Sequence, residues 1–123
     1  MPNPIVHWEI VSPENGKRLQ EFYRGLFGWK VDANNPFDYG VTETETDGRG
    51  INGGIGGTEG PGRVTIYAEV DDMQAYLDKA VSLGGKVAME PMEIPGTVTM
   101  AMFIDPDGNY FGLVKSGSMQ TQG

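Results

Sequence analysis

Two side chains that can move protons, His7 and Glu9, are separated by one residue in the stretch VHWEI. Residues two apart on a strand lie on the same face of a sheet, so a strand here places an imidazole beside a carboxylate. The carboxylate can tune the imidazole as a general base or help to hold a ligand. The sequence therefore predicts His7 and Glu9 as acid–base residues. The alternative is that His7 is a satisfied interior polar residue and that Glu9 lies at a rim or in a salt bridge.

A second alternating segment, VTIYAEV, puts Thr65 and Tyr67 on one face of another strand. Tyr67 can donate a hydrogen bond to a ligand and is a third catalytic candidate, although a strand tyrosine also packs well in a core. Met100 and Met102 alternate along a later strand, where flexible methionines can line an adaptable ligand pocket or fill the core.

Several glycines form the literal pattern G-x-G-x-x-G, namely Gly48, Gly50 and Gly53. A dinucleotide site needs a helix that begins directly after these glycines, and here more glycine and the segment TEGPG follow. The sequence therefore predicts no dinucleotide cofactor. The pair Gly53–Gly54 instead indicates a strand that a ligand or a neighbouring strand approaches closely.

The elements that position these residues can be predicted from periodicity. Apolar residues recur at helical spacing over 13–27, which predicts an inner face of Leu19, Phe22, Tyr23, Leu26 and Phe27, an N-cap at Ser12 or Asn15, and an end at Gly28. A second helix is predicted over 72–83, capped by Asp71 or Asp72. Strands are predicted over 5–11, 29–32, 39–45, 51–55, 64–70, 86–89, 98–104 and 110–115.

The chain repeats itself once. FGWKV and LGGKV, which begin at Phe27 and Leu83, are 56 residues apart, and each follows a strand and a helix. This period predicts one domain over 1–123 made of two modules, about 5–57 and 63–115, each with the order βαβββ. The predicted fold class is α+β: a cup-shaped mixed β-sheet with the helices outside, whose concave face suits a small ligand.

Composition limits the partners. The chain has 123 residues, a net charge of −8 and no cysteine. The acidic field repels phosphate backbones, so we expect no nucleic-acid partner, and it suits a cationic ligand. No apolar run reaches the roughly 18 residues of a membrane span, and we expect a cytoplasmic protein with no membrane partner.

The motifs VHWEI, EFYRGLFGW, GGIGG, YAEVDDMQAYLDKAVSLGGKV and IDPDGNYFGLVK together resemble the vicinal oxygen chelate superfamily, which includes glyoxalase I, bleomycin-resistance proteins and extradiol dioxygenases. The chain is most similar to a glyoxalase-related branch without assigned function. The resemblance covers about His7 to Lys115 and implies paired βαβββ modules, in agreement with the repeat. Many members also form homodimers, so a homodimer is expected here.

The resemblance also implies a divalent metal held by side chains of the inner strands. His7 stands at the first-strand ligand position, whereas Thr65 stands where a histidine would fall and Gly112 where a glutamate would. On the fourth strand only Asn52 offers a weak donor. His7 is the only surviving metal candidate, and one histidine does not hold a catalytic divalent ion tightly. We therefore expect no cofactor, with a weakly supported divalent metal as the alternative.

The resulting prediction is a small-molecule binding or modifying protein without the usual tight metal site, in which binding and catalysis both stay open. Catalytic candidates are His7, Glu9 and Tyr67. Ligand-binding candidates are Thr65, Asn52, Met100, Met102 and Gly112. The alternative is a metal-dependent lyase, isomerase or dioxygenase with a site rebuilt around His7.

Overall fold

A computed structural model of the chain describes residues 3–14, 16–94 and 98–116. Its elements are, in chain order, β1 (Ile5–Ser12), α1 (Lys17–Phe27), β2 (Lys30–Asp32), β3 (Gly40–Glu43), β4 (Gly53–Gly57), β5 (Arg63–Val70), α2 (Met73–Ser82), β6 (Lys86–Ile94), β7 (Val98–Ile104) and β8 (Tyr110–Lys115). The order βαβββ therefore occurs twice, and the predicted α+β class with two such modules is confirmed. The concave cup stays a prediction.

One compact unit covers residues 7–65. Its strands follow the order β2-β3-β4-β1, in which β1 and β4 are parallel and the other neighbours are antiparallel. Helix α1 packs against β4 and β2. The side chains of Val11, Val31 and Ile55 are buried in this unit, together with Thr42.

Helix α1 differs from its prediction in both its start and its orientation. It begins at Lys17 after Gly16, a left-handed residue with φ 82° and no side-chain cap. Ser12 is not the N-cap because it lies at the end of β1, well before Lys17, where its hydroxyl donates to the carbonyl of Glu14, 2.7 Å away. The alternative N-cap, Asn15, lies outside the described residues. The C-terminal prediction is confirmed, since Gly28 ends the helix with φ 72°.

The predicted inner face of α1 is wrong in three positions. Phe22, Leu26 and Phe27 expose 57%, 59% and 57% of their surface, and the buried residue of the helix is Gln20. The apolar stripe instead joins an aromatic cluster, in which the Phe27 ring stacks on Trp29 with 4.6 Å between centroids. Periodicity located the stripe correctly but could not show what covers it.

The other compact unit covers residues 66–116 together with 3–6. Its strands follow the order β5-β8-β7-β6, with β5 and β8 parallel. Helix α2 buries Met73 and Leu77 against this sheet, in a core with Ala68, Val70, Ala101 and Leu113. The predicted N-cap is confirmed for Asp72, whose carboxylate accepts a hydrogen bond from the Ala75 amide at 3.1 Å.

Strand β6 runs farther than predicted, to Ile94, and it passes through Pro91. A proline lacks the amide that an inner strand needs, but β6 is the outermost strand of its unit, where a proline is tolerated. Strands β7 and β8 match their predicted bounds. Among the described residues, no helix is long and apolar enough to cross a membrane.

Candidate functional site

Three side chains form a continuous hydrogen-bonded group, which we call the His7 cluster: His7, Tyr39 and Glu9. The Nε2 atom of His7 lies 2.9 Å from the Tyr39 hydroxyl oxygen, and that hydroxyl donates to Oε2 of Glu9 at 3.1 Å. His7 and Glu9 extend from the same face of β1, as predicted, and Tyr39 immediately precedes β3. All three residues belong to the unit of residues 7–65.

The glycines of β4 leave room for the Tyr39 ring to pack on the backbone of that strand. A methyl group on Gly54 would overlap the ring and hydroxyl of Tyr39, and one on Gly56 would come within 2.8 Å of its Cδ1. Gly54 lies directly beside Glu9 in the parallel pairing of β4 with β1. The ring therefore lies flat on bare backbone at the position from which its hydroxyl can reach Glu9.

The backbone of Tyr39 is fixed as well. Asn35 holds it from both sides, because its Nδ2 donates to the Tyr39 carbonyl at 2.7 Å and its Oδ1 accepts from the Tyr39 amide at 3.0 Å. The preceding residue, Asp38, has a left-handed φ of 53°, and its carbonyl accepts from the buried amide of Gln20 at 3.1 Å. The same Gln20 amide donates to the carbonyl of Ile55 on β4 at 2.8 Å, which ties the segment before β3 to the glycine strand.

Burial sets the protonation of His7. Desolvation lowers the pKa of His7 from its ordinary 6.5 to about 4, because the charged imidazolium loses its hydration. At neutral pH the imidazole is therefore uncharged, with one nitrogen carrying a proton and the other not. A neutral imidazole beside a carboxylate can accept or relay a proton.

The predicted ligand residues Thr65 and Asn52 belong to the same unit, in different surroundings. Thr65 is 2% exposed, and within the described part of the chain its hydroxyl has no hydrogen-bond partner. Asn52 uses its carbonyl oxygen to accept from the amides of Thr44 and Glu45, at 2.8 and 2.9 Å. Asn52 thus organises a loop, and its role toward a ligand stays a prediction.

The remaining predicted residues meet in the other unit. Tyr67 is 1% exposed and packs with Met102, Met100 and Val114. It pairs with Gly112 across β5 and β8, and a methyl group on Gly112 would overlap the Tyr67 ring. The missing side chain of Gly112 is thus filled by a neighbouring ring. The proposed catalytic and ligand roles of these residues stay predictions.

The positions that the resemblance assigns to metal ligands offer few donor atoms. The Nε2 atom of His7 is engaged by Tyr39, and Gly112, in the other unit, carries no side-chain donor. Across residues 3–14, 16–94 and 98–116, no group of three or more His, Cys, Asp or Glu side chains is arranged to hold a metal ion.

Sequence reasoning missed Tyr39. It lies 32 residues from His7, and its own neighbourhood shows no motif. The available signal was the glycine run of β4, which predicted a close approach. The structure shows that the approaching groups are aromatic rings, Trp8 over Gly53 and Tyr39 over Gly54.

Comparison with known proteins agrees with this fold. Residues 10–114 match the family model described as a glyoxalase-like domain. The chain is 32% identical over 136 residues to the anthracycline biosynthesis protein DnrV of Streptomyces peucetius. The aligned region covers 97% of this chain and 49% of that protein. The chain thus spans about half the length of the curated relatives it matches.

Solved structures share the fold at low identity. A glyoxalase/bleomycin resistance protein/dioxygenase superfamily member from Vibrio splendidus 12B01 has a TM-score of 0.62 at 18% identity, with 94% of this chain and 100% of that chain covered. Methylmalonyl-CoA epimerase from Mycobacterium tuberculosis has a TM-score of 0.63 at 12% identity, with 90% and 86% covered. The family model covers most of the chain, and the chain therefore belongs to the glyoxalase-like domain family.

Proposed function

We propose that this protein binds a small hydroxylated aromatic molecule at the His7 cluster and that it does so without a tightly bound divalent metal. The observation that carries the proposal is the hydrogen-bonded group itself, in which His7, Tyr39 and Glu9 are held together on a strand of bare glycine backbone. Residues fixed this firmly by packing and hydrogen bonds are suited to orient a ligand.

The chemistry of the cluster favours a ligand that donates hydrogen bonds. Glu9 supplies a carboxylate, which accepts hydrogen bonds when ionised, and the whole chain carries a net charge of −8. Both features favour hydroxyl or cationic groups over anions.

The aromatic character of the ligand is supported by the relatives. The protein from Streptomyces peucetius that matches nearly the whole chain is named for anthracycline biosynthesis. Its chain is about twice as long, so its activity does not transfer directly. We extend from it only the ligand class, a polycyclic aromatic compound with hydroxyl groups.

The absence of a tight metal is part of the proposal. A metal at His7 would compete with Tyr39 for Nε2, and the positions that the resemblance assigns to further ligands carry Thr65 and Gly112. The second candidate function is a metal-dependent lyase, isomerase or dioxygenase around His7. Membership of the glyoxalase-like family favours that candidate, and a metal bound at Nε2 would require the Tyr39 hydroxyl to leave that atom.

The test is a thermal-shift screen of hydroxylated polycyclic aromatics, each paired with its O-methylated counterpart, in the presence of a metal chelator. We expect the hydroxylated member of a pair to raise the unfolding temperature more, because selective binding to the folded state stabilises it. Calorimetry on the best compound should show about a tenfold loss of affinity in Tyr39→Phe, the equivalent of one good hydrogen bond. Tyr23→Phe, which alters a tyrosine outside the cluster, is the matched control.

Two results would contradict the proposal. The first is stabilisation by these compounds only when Ni²⁺, Zn²⁺, Mn²⁺ or Fe²⁺ is present, with metal analysis showing one ion per chain that is lost in His7→Ala. That result would favour the metal-dependent function. The second is an affinity that Tyr39→Phe leaves unchanged, which would place the ligand elsewhere.

We also propose that two copies associate through the exposed apolar face of α1. Phe22, Leu26 and Phe27 each leave more than half of their surface exposed. A standard interface buries about 800 Å² per partner, and three large apolar residues can form its centre. Sedimentation should show a dimer that Leu26→Glu converts to monomer; a monomeric wild type would refute this.

The cytoplasmic location stays a prediction for cell fractionation to test.

A further inference from the structure

The His7 cluster contains fewer protons than acceptor positions, and this limits how they can be arranged. An ionised Glu9 carboxylate only accepts hydrogen bonds, and Tyr39 has a single hydroxyl proton. That proton is directed at Glu9 Oε2, 3.1 Å away. In the contact of 2.9 Å with His7, the Tyr39 oxygen must therefore accept, and the proton must come from Nε2.

We infer that Glu9, Tyr39 and His7 form a proton relay in which Tyr39 is the positioning residue that keeps His7 in the Nε2–H form. The inference rests on the same cluster as the proposed function but not on any bound ligand. The Tyr39 oxygen then engages Nε2 of His7, so another acceptor or a metal would have to displace it from that atom.

The surroundings of Tyr39 favour one orientation of its hydroxyl. Its ring lies on Gly54 and Gly56, and its backbone is held by Asn35, so the hydroxyl oxygen has little freedom to leave the line between His7 and Glu9. The two rings are nearly parallel, with 23° between planes and 6.4 Å between centroids. The contact thus depends on the glycine strand as much as on Tyr39.

The relay gives the site a way to accept a proton without an imidazolium. When a donor that is hydrogen-bonded to Nδ1 of His7 gives up its proton to that nitrogen, the Nε2 proton passes to the Tyr39 oxygen and the Tyr39 proton passes to Glu9. The imidazole, the phenol and the carboxylic acid are then all neutral, and the negative charge has moved from Glu9 to that donor. Burial disfavours a charged His7, so this route suits the site better than simple protonation.

Nuclear magnetic resonance of the ligand-free protein tests the relay directly. His7 is the only histidine among the 123 residues, so its imidazole signals in a ¹⁵N-labelled sample need no assignment. At neutral pH we expect Nε2 to carry the proton, Nδ1 to be unprotonated, and the Nε2 proton to exchange slowly with water. In Tyr39→Phe the ring stays but its oxygen is lost, and exchange of that proton should become about tenfold faster.

A second variant reaches the same contact without altering the three residues. Gly54→Ala would push the Tyr39 ring off β4, and it should accelerate exchange as Tyr39→Phe does. Its control is Gly25→Ala, because a methyl group there meets nothing within 4 Å. If Gly54→Ala fails to fold, Tyr39→Phe alone decides the question.

The outcomes separate this inference from the proposed function. An unprotonated Nε2 in the wild type, or an exchange rate that Tyr39→Phe leaves unchanged, would overturn the relay even if aromatic ligands bind. A protected Nε2 proton that is lost in Tyr39→Phe would support the relay even if the ligand screen finds nothing.

Discussion

The single histidine makes the pH dependence of stability a direct test of the site. Burial lowers the pKa of His7 to about 4 in the folded chain, from 6.5 when it is exposed. Between these two values the unfolded chain binds a proton that the folded chain does not. Acid therefore favours unfolding, and stability is complete above about pH 6.5 and is lost progressively as the pH falls toward 4.

The two pKa values give the size of the effect. They differ by about 2.5, and each pKa unit corresponds to about 1.36 kcal/mol, so full protonation costs about 3.4 kcal/mol. About 2.5 kcal/mol of this is already lost at pH 4.5. A loss of that size is a large fraction of the 5–15 kcal/mol that holds a typical domain together.

Asp105 does not interfere in this range. Hydrogen bonds from Asn109, first from its backbone amide and then from its side chain, lower the pKa of Asp105 below its ordinary 3.8. The stability that these bonds contribute is present above pH 3.8 and is lost only at more acidic pH. The window between pH 6.5 and 4.5 therefore reports mainly on His7.

The assay is urea unfolding followed by circular dichroism at half-unit steps from pH 7.5 to 4.5. We expect the free energy of unfolding to fall by about 2.5 kcal/mol with an unchanged dependence on urea concentration. His7→Gln, which keeps a polar amide but cannot be protonated, should remove most of that fall. A flat curve for the wild type, or an equal slope in His7→Gln, would show that His7 is not buried as described.

Four further substitutions, at three positions, test the packing, the helix propensity and the α2 N-cap, each by urea unfolding. Gly112→Ala should lower the free energy of unfolding by about 1–3 kcal/mol, because the new methyl group overlaps the Tyr67 ring; an unchanged value would mean that the ring does not lie there. Gly25→Ala should raise it by about 0.5–1 kcal/mol, since open space surrounds this position inside α1, and destabilisation would point to an unseen neighbour. Asp72→Ala should lower it by about 1 kcal/mol through loss of the α2 N-cap. Asp72→Asn should retain most of that stability, and equal losses in both variants would exclude the cap as the cause.

The order of elements could be predicted because glycines and prolines punctuate the chain clearly. The turn before β8 and the glycine after α1 stand where expected, and both modules follow the predicted order. The start of α1 could not be predicted, because a capping hydroxyl at Ser12 and a left-handed Gly16 are both plausible beginnings. In the structure Ser12 ends β1, and the helix begins at Lys17 after Gly16.

The site was half predictable for a related reason. His7 and Glu9 share a strand face by simple alternation, which any strand imposes. Tyr39 lies 30 residues after Glu9, beyond α1 and β2. A contact between residues so far apart in the sequence produces no local periodicity. The only sequence signal for Tyr39 is indirect: β4 has glycines at the positions where a side chain would overlap the Tyr39 ring.

Replacing Gly112 by a metal-binding side chain would not by itself create a metal site. The resemblance assigns a carboxylate to this position, yet the space above Gly112 is taken by Tyr67, which is buried with Met102 and Val114. A glutamate introduced there would meet the ring before it met any ion, and it would disturb the core of that unit. In the other unit the same device, a tyrosine on glycine, places a hydroxyl against His7 instead. Bare backbone therefore lies beneath a tyrosine ring in both modules, and a larger side chain at position 112 would require a change at Tyr67 as well.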